Sequence, residues 1–440
     1  MHHRLFPPTA VCLLSLALTH CADLPEEPSA PEQAGLAPVE PALLGMSCVD
    51  GELASGAPYQ VCLNRLLWKG DLVVFVPGYT NPASTPSTPT GDIGGLSAAD
   101  VVTSLGFGWA ATGFRENGLL VPQTWIAQDL LALVQAAKTY FSARTGRSTG
   151  RVYLTGGSQG GLITTLGVER YPQVFNGGGL AACGPIGSYR RQLQYVGDFR
   201  TVFDFYFDPV LAQWPVWIES DLDNGAIDPA FWTPANRAVV ASAIQAHPAR
   251  TANLLRVTRA PIDPANPGPT TRLTVNDLLR YTFVGTLDAI AKLQGLAYGN
   301  VGVVYSGSSN DAALNARIQR FTFDASAAAL GMLETTGRLA RPLVTIHTTG
   351  DHIVPEWHEP LYRNKTSRSL SSWLRHTRLT VSRYGHCTFT AGEVLGAFSL
   401  LVLKATGQNL ALSRQALTEP GERAEFLRAA REFGASPAVE

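Results

Sequence analysis

The chain has 440 residues, and its 34 Lys+Arg against 35 Asp+Glu leave a formal charge of −1. That balance excludes non-specific nucleic-acid binding, which needs a basic face to neutralise phosphates. With 45% hydrophobic and 16% charged residues a large core can form, so disorder as the main state is excluded too. Length alone suggests about three domains.

His2, His3 and Arg4 precede an apolar run from Ala10 to Leu18. That run is far short of the roughly 20 residues a membrane span requires, but it fits the core of a signal peptide. Residues 1–21 are therefore read as an export signal and 22–45, rich in Pro, Glu and Ala, as a flexible linker. No other segment reaches spanning length, so a soluble, exported protein is expected. Leu18-Thr19-His20-Cys21 looks like a bacterial lipobox, although His20 stands where a small residue is usual. Lipid attachment at Cys21 is one reading and simple secretion the other. Cys48, Cys62, Cys183 and Cys387 remain beyond the leader, an even number that suggests two disulfides with three possible connectivities. No C-x-x-C spacing occurs, so a zinc site has little support; neither a metal nor a cofactor is expected.

Gly51–Gly56 reads as a turn-rich loop. Asp71–Val76 is an apolar strand ending at Pro77-Gly78, and Asn81–Gly95 is a loop dense in Ser, Thr and Pro. Phe107–Phe114 reads as a strand. Pro122–Arg144 reads as a helix, with Trp125, Ile126, Leu130, Leu131, Leu133 and Val134 at helical spacing. Arg151–Thr155 is a strand, Gln159–Glu169 a helix and Val174–Ala182 strand-like. After a long interval come strands at Leu343–Thr348 and around Leu379–Val381. A helix from Ala391 to Lys404 follows, its start marked by the capping pair Thr390 and Glu393. Short strands alternating with helices imply a mostly parallel sheet covered on both faces. Residues 46–187 and 339–410 form this α/β core, and 411–440 a C-terminal helical tail. The interval 188–338 breaks the alternation and holds nine aromatics between Phe199 and Trp232, so it reads as an inserted, mainly helical cap.

Gly156-Gly157-Ser158-Gln159-Gly160 is a G-x-S-x-G between an apolar strand and a helix, the setting in which a serine is exposed on a strained turn as a nucleophile. A glycine-rich phosphate turn is the alternative, but no clean dinucleotide pattern and no Gly-Lys-Ser/Thr is present. An orienting acid and then a base should follow in chain order. Asp351 comes just after the strand Leu343–Thr348, and His386 after the strand around Leu379–Val381. His386 would take the Ser158 proton while Asp351 fixes its tautomer. Of the rival histidines, His347 lies within a strand as a core residue, and His352 should point away if Asp351 faces the serine. His358 and His376 sit in helical or linking sequence and His247 in the cap. The oxyanion needs two backbone donors. They are read as the N–H of Gln159 and that of Tyr79 in Pro77-Gly78-Tyr79.

As a set, Pro77-Gly78-Tyr79, Gly156–Gly161, Gly350–Pro355 and Gly385-His386-Cys387 resemble the α/β-hydrolase superfamily, from about Tyr59 to Thr406. Gly157-Ser158-Gln159-Gly160-Gly161 also looks like the serine turn of prolyl-oligopeptidase-type enzymes, whose large N-terminal propeller has no room here. Tannase-like feruloyl esterases join a Cys beside the serine to a Cys beside the histidine. Cys387 stands beside His386, but Gly157 takes the other place. The missing half suggests Cys183 as a substitute partner, on the strand next to that of Ser158; two buried free thiols are the alternative. The resemblance implies an exported serine hydrolase acting on a small-molecule carboxylic ester; the aromatic cap hints at an apolar or aromatic group, although aromatics in such a cap more often simply pack onto the core. A serine peptidase or amidase with the same triad, or a non-catalytic binding protein on this fold, are the alternatives.

Overall fold

The computed structural model describes residues 45–93, 96–120, 125–211, 229–412, 417 and 419–439. Residues 1–44, read above as an export signal and most of a linker and including Cys12 and Cys21, and also Trp214 and Trp217, lie outside these. Residues 43–440 make one compact unit.

Its centre is an eight-stranded sheet. In chain order the strands are β1 (Met46–Glu52), β2 (Pro58–Asn64), β3 (Leu72–Val76), β4 (Gly108–Thr112), β5 (Val152–Gly157), β6 (Gly178–Ala182), β7 (Leu343–Gly350) and β8 (His376–Tyr384). Across the sheet they run β1-β2-β4-β3-β5-β6-β7-β8. The pairs β1–β2 and β2–β4 are antiparallel and all later neighbours are parallel. The sequence Leu-Val-Val-Phe-Val of β3 has no polar alternation because helices cover both of its faces.

On one face lie α2 (Leu131–Thr145) and α3 (Gln159–Arg170). On the other lie α1 (Ala98–Ser104), α12 (Ala391–Thr406) and α13 (Pro420–Glu432). The Thr390–Glu393 capping box is present at the start of α12. The tail folds as α13 against α12, where Gly392 and Gly396 admit its backbone.

Between β6 and β7 the chain forms α4 (Tyr189–Leu211), α5 (Pro234–Ala246), α6 (Pro248–Thr258), α7 (Pro267–Leu293), α8 (Asp311–Arg317) and α9 (Ala327–Gly331). No strand occurs among the described residues of this interval. The helices enclose a core of their own, in which Phe199, Phe203 and Phe207 are fully buried and the last two stack at 4.6 Å. Beyond the cap, α10 (His358–Thr366) and α11 (Leu370–Arg375) connect β7 to β8. Among the described residues no helix is long and apolar enough to cross a membrane.

Three readings change. Gly51 belongs to β1 rather than to a loop. It stands opposite Tyr59, whose ring would lie 2.6 Å from a Cβ there, so the glycine makes room for an aromatic across the hairpin. The segment after α3 becomes strand only at Gly178, because Tyr171 to Phe175 first fold back in turns held by bonds to the Tyr171 carbonyl. Trp125–Leu130 is a single π turn leading into α2, and it accompanies a buried Asp129 paired with Arg115 at 2.5 Å, which helical periodicity does not reveal.

Candidate active site

Strand β5 runs straight into α3, and Ser158 occupies the corner with φ 57° and ψ −126°. A residue with a side chain is strained there by roughly 1–3 kcal/mol, so its surroundings must enforce the turn. They do so by contact: a Cβ on Gly160 would lie 2.2 Å from the Val76 carbonyl oxygen, so only glycine lets α3 come this close to the end of β3. The Ser158 N–H is held by the Ala182 carbonyl at 2.9 Å.

The loops after β7 and β8 end on the same sheet edge. His386 Nε2 lies 2.9 Å from Ser158 Oγ, and His386 Nδ1 lies 2.7 Å from Asp351 Oδ2. Asp351 is fully buried, and its Oδ1 accepts the N–H groups of Ile353 at 3.0 Å and Val354 at 2.8 Å. Burial alone would raise its pKa. The attraction of His386 and the bonds from His347 and His386 outweigh that and hold it well below the usual carboxylate range. Serine, imidazole and carboxylate thus stand in one hydrogen-bonded line, an arrangement suited to acyl transfer.

The strand order together with the strained serine corner decides the architecture. The chain has the α/β-hydrolase fold. No protein-family model matches the sequence, and no curated protein is similar to it. Among solved structures, an esterase from Aspergillus oryzae is similar over 76% of this chain and 71% of its own, at 15% identity and a TM-score of 0.42. Feruloyl esterase B from Aspergillus oryzae is similar over 78% and 74%, at 13% identity and 0.41. An esterase from Pyrococcus furiosus is similar over 87% and 90%, at 13% identity and 0.38. At these scores the assignment rests on the strand order and the serine turn.

Cys48 and Cys62 are direct partners across the β1–β2 ladder and form a disulfide. Cys183 and Cys387 form the second. Cys183 follows β6 and Cys387 follows His386, with φ of 43° and 54°, so the bond ties two left-handed corners beside the serine turn. Their sulfurs cluster with the His386 ring, but a disulfide offers no thiolate to a metal ion.

Tyr79 and Gln159 both border the cleft at Ser158, and a Cβ on Gly78 would stand 3.4 Å from that of Ser158. The Gln159 N–H, at the first position of α3, has no acceptor within its own helix. Its side chain turns away and bridges the Gly118 carbonyl and the Leu120 N–H, both at 3.0 Å. One cap residue, Asp288 of α7, ties these parts together. Its carboxylate accepts the Tyr79 hydroxyl at 3.1 Å and the Leu119 N–H at 2.6 Å, and pairs with Lys292 at 2.9 Å. Burial, then Asp288, pushes the Tyr79 phenol far above its ordinary value, so it remains a donor.

His347 is a second residue whose role the sequence did not reveal. It lies in β7 and is fully buried, as a core residue should be. Its Nε2–H donates to the Val354 carbonyl at 2.7 Å and stands 3.5 Å from Asp351 Oδ2, while Nδ1 stands 3.5 Å from Glu359 Oε1. Burial would lower its pKa, but the Asp351 and Glu359 carboxyl groups beside it push it up to about 10. The ring thus stands between the buried carboxyl groups of Asp351 and Glu359.

The other histidines face elsewhere. His352 stacks on Tyr384 and pairs with Asp277 of α7 at 2.8 Å. His358 bonds Gln192 at 2.9 Å, and burial pulls it well below its ordinary value. Burial brings His376, the first residue of β8 rather than a linker, down to about 4. His247 joins α5 to α6. None of the described cap aromatics between Phe199 and Trp232 borders the cleft; its aromatic walls are Tyr79, Tyr189, Tyr281 and Tyr298.

Two outcomes follow from these contacts. The folded value of His347 lies above its ordinary 6.5, so its stabilisation is complete below that pH and is lost as pH rises through about 10. The urea midpoint should fall across that window, and His347→Gln should lower it at pH 6 and flatten the decline. Asp288→Ala frees Tyr79 and the 117–120 loop, and should slow fluorophosphonate labelling of Ser158 by roughly 10–100-fold with the fold retained by circular dichroism.

Proposed function

We propose that the protein is a serine hydrolase of carboxylic esters, acting through an acyl-enzyme on Ser158. The observation that carries this reading is the line Ser158 Oγ–His386–Asp351, at 2.9 and 2.7 Å, on a strained corner at the mouth of an apolar cleft. His386 Nε2 takes the hydroxyl proton as Ser158 Oγ attacks the ester carbonyl carbon. The resulting oxyanion lies against the backbone N–H groups of Tyr79 and Gln159, at the positive end of α3. As the carbonyl re-forms, the bond to the alcohol oxygen breaks and His386 returns the proton to it. Water, deprotonated by the same nitrogen, then attacks the acyl-enzyme, and the acid departs as Ser158 recovers its proton. Asp351 holds the imidazole in the required tautomer and stabilises it when charged.

Esters are favoured over peptides by the cleft's chemistry. Apolar and tyrosine side chains dominate its lining, and among the described residues it includes no Asp, Glu, Lys or Arg that would hold a charged peptide terminus or side chain, which favours an apolar ester. We infer also that the chain is exported, either simply secreted or lipid-anchored at Cys21. The apolar run from Ala10 to Leu18 and the two disulfides, which persist in oxidising compartments, support this.

A fluorophosphonate should label the wild type and not Ser158→Ala. Hydrolysis of 4-nitrophenyl esters should exceed that of peptide anilides, and fall by roughly 10⁴–10⁶-fold in Ser158→Ala and in His386→Ala. No labelling of the wild type, or faster cleavage of anilides, would overturn the assignment. Intact-mass measurement of the protein made in a bacterial host should show a chain shortened by its leader, with acyl mass on Cys21 marking lipid attachment and no added mass marking simple secretion; an unmodified chain retaining Met1 would refute export.

A further inference from the structure

Two cavities meet at Ser158, and they share Tyr79 and Tyr281 as a dividing wall. The first lies under the cap, against Leu193, Val196, Ala289 and Ile290. The second leads the other way, into the core between the sheet and helices α1 and α12. Its walls are Phe75, Val102, Trp109, Leu180, Leu395 and Phe398, and its volume is ≈440 Å³. That is within the usual range of ligand sites, and large for a gap in a close-packed interior. Its acidic wall residue, Asp92, is exposed, so the depth of the cavity is apolar.

The two cavities differ in one respect that bears on the chemistry. His386 forms part of the core cavity's wall and no part of the cap cavity's. In acylation His386 Nε2 must reach the oxygen of the departing alcohol, because it delivers the proton there. The alcohol oxygen therefore lies on the His386 side, and the group attached to it continues into the core. The acyl group, whose carbonyl oxygen lies toward Tyr79 and Gln159, is left with the space under the cap.

The register of the sheet gives the length of this channel. Val73, another wall residue, is paired with Trp109 on β4 and with Tyr153 on β5. Ser158 comes five residues after Tyr153, which at about 3.3 Å per residue places it roughly 16 Å further along the strand. A cavity lined at both levels is long and narrow, and suits an extended chain better than a compact ring system.

Building on the ester-hydrolase reading above, we propose that the core cavity is the site of the alcohol moiety, and that this moiety is a long, unbranched or sparsely branched apolar chain. The preferred substrates are then esters of long-chain apolar alcohols, and the acyl group occupies the cap cavity.

The test varies the two sides of the ester separately, on the full chain, with Ser158 titrated by a fluorophosphonate. In a pH-stat, kcat/KM should rise from methyl through butyl to octyl acetate, by roughly threefold per methylene. Val102→Phe, which fills the channel from α1, should lower kcat/KM for octyl acetate by about tenfold or more while methyl acetate, methyl octanoate and the titre stay within about twofold. Should that variant fail to fold, Leu180→Phe fills the channel from the sheet and must give the same split. A selective loss on methyl octanoate would show that the cavity takes the acyl chain, and equal rates on all substrates would show that it takes neither; both overturn the proposal. A second readout does not depend on catalysis. In Ser158→Ala, 1-decanol should raise the unfolding temperature, and adding Val102→Phe should abolish the rise. Absence of any rise refutes the cavity assignment even if Ser158 is reactive, whereas a rise with an unreactive serine counts against the hydrolase reading alone.

Discussion

The approach of helix α3 to the carboxyl ends of β3 and β6 sets the geometry of the whole site. Gly160 stands where any side chain would strike the Val76 carbonyl, and a Cβ on Gly161 would lie 2.7 Å from the Ala182 oxygen. With α3 drawn in this far, Ser158 has no relaxed backbone conformation open to it and is lifted above the sheet edge at φ 57°. The same closeness places the amino end of α3, with its unshared N–H groups, beside the 77–79 turn. The strain at the serine is thus a consequence of packing between three elements, which also explains why it persists.

Around that corner His386 and Asp351 are held by ties that cross the molecule. The His386 loop is fixed by the Cys183–Cys387 bond on one side and by Thr348, whose hydroxyl donates to the Gly385 carbonyl at 2.6 Å, on the other. Asp351 rests on two backbone amides and on His347, itself backed by Glu359, which accepts the Thr345 hydroxyl at 2.6 Å. The attraction of His386 and His347 favours the ionised form of the Asp351 carboxyl where solvent does not reach. The cap joins the same arrangement through α7. Asp277 receives His352, which follows Asp351 in the chain, and Asp288 receives Tyr79 and the loop that holds Gln159. One helix therefore contacts both the loop after Asp351 and the Tyr79 and 117–120 loops.

The parts of the site legible in the sequence share a physical property: each is a local strand-to-turn transition. Ser158, Asp351 and His386 stand within a residue or two of the ends of β5, β7 and β8, and an apolar strand followed by glycine can be seen without knowing its neighbours. His347 was visible only as a histidine inside a strand. Its value comes from Glu359, which arrives on α10 after a loop, and no local pattern announces that meeting. Asp288 lies 209 residues from Tyr79, in a helix whose register against the core no periodicity specifies. The aromatic run of the cap carries two readings in sequence, substrate contact or packing. Its described rings pack in or against the cap's own core, because burying them is a main source of stability for an insertion whose described residues form no strand.

By itself the sequence determined a near-neutral chain with a large core, the alternation of strands and helices, the strained serine turn and the order in which acid and base follow it. These depend on neighbours within a few residues, where spacing and side-chain type suffice. Only the tertiary structure decided which histidine shares the buried acid, how α7 reaches Tyr79 and the 117–120 loop, and that an apolar channel opens from Ser158 into the core. Those features arise where surfaces distant in the chain meet, and their geometry is fixed by the register of the sheet and the packing of helices upon it.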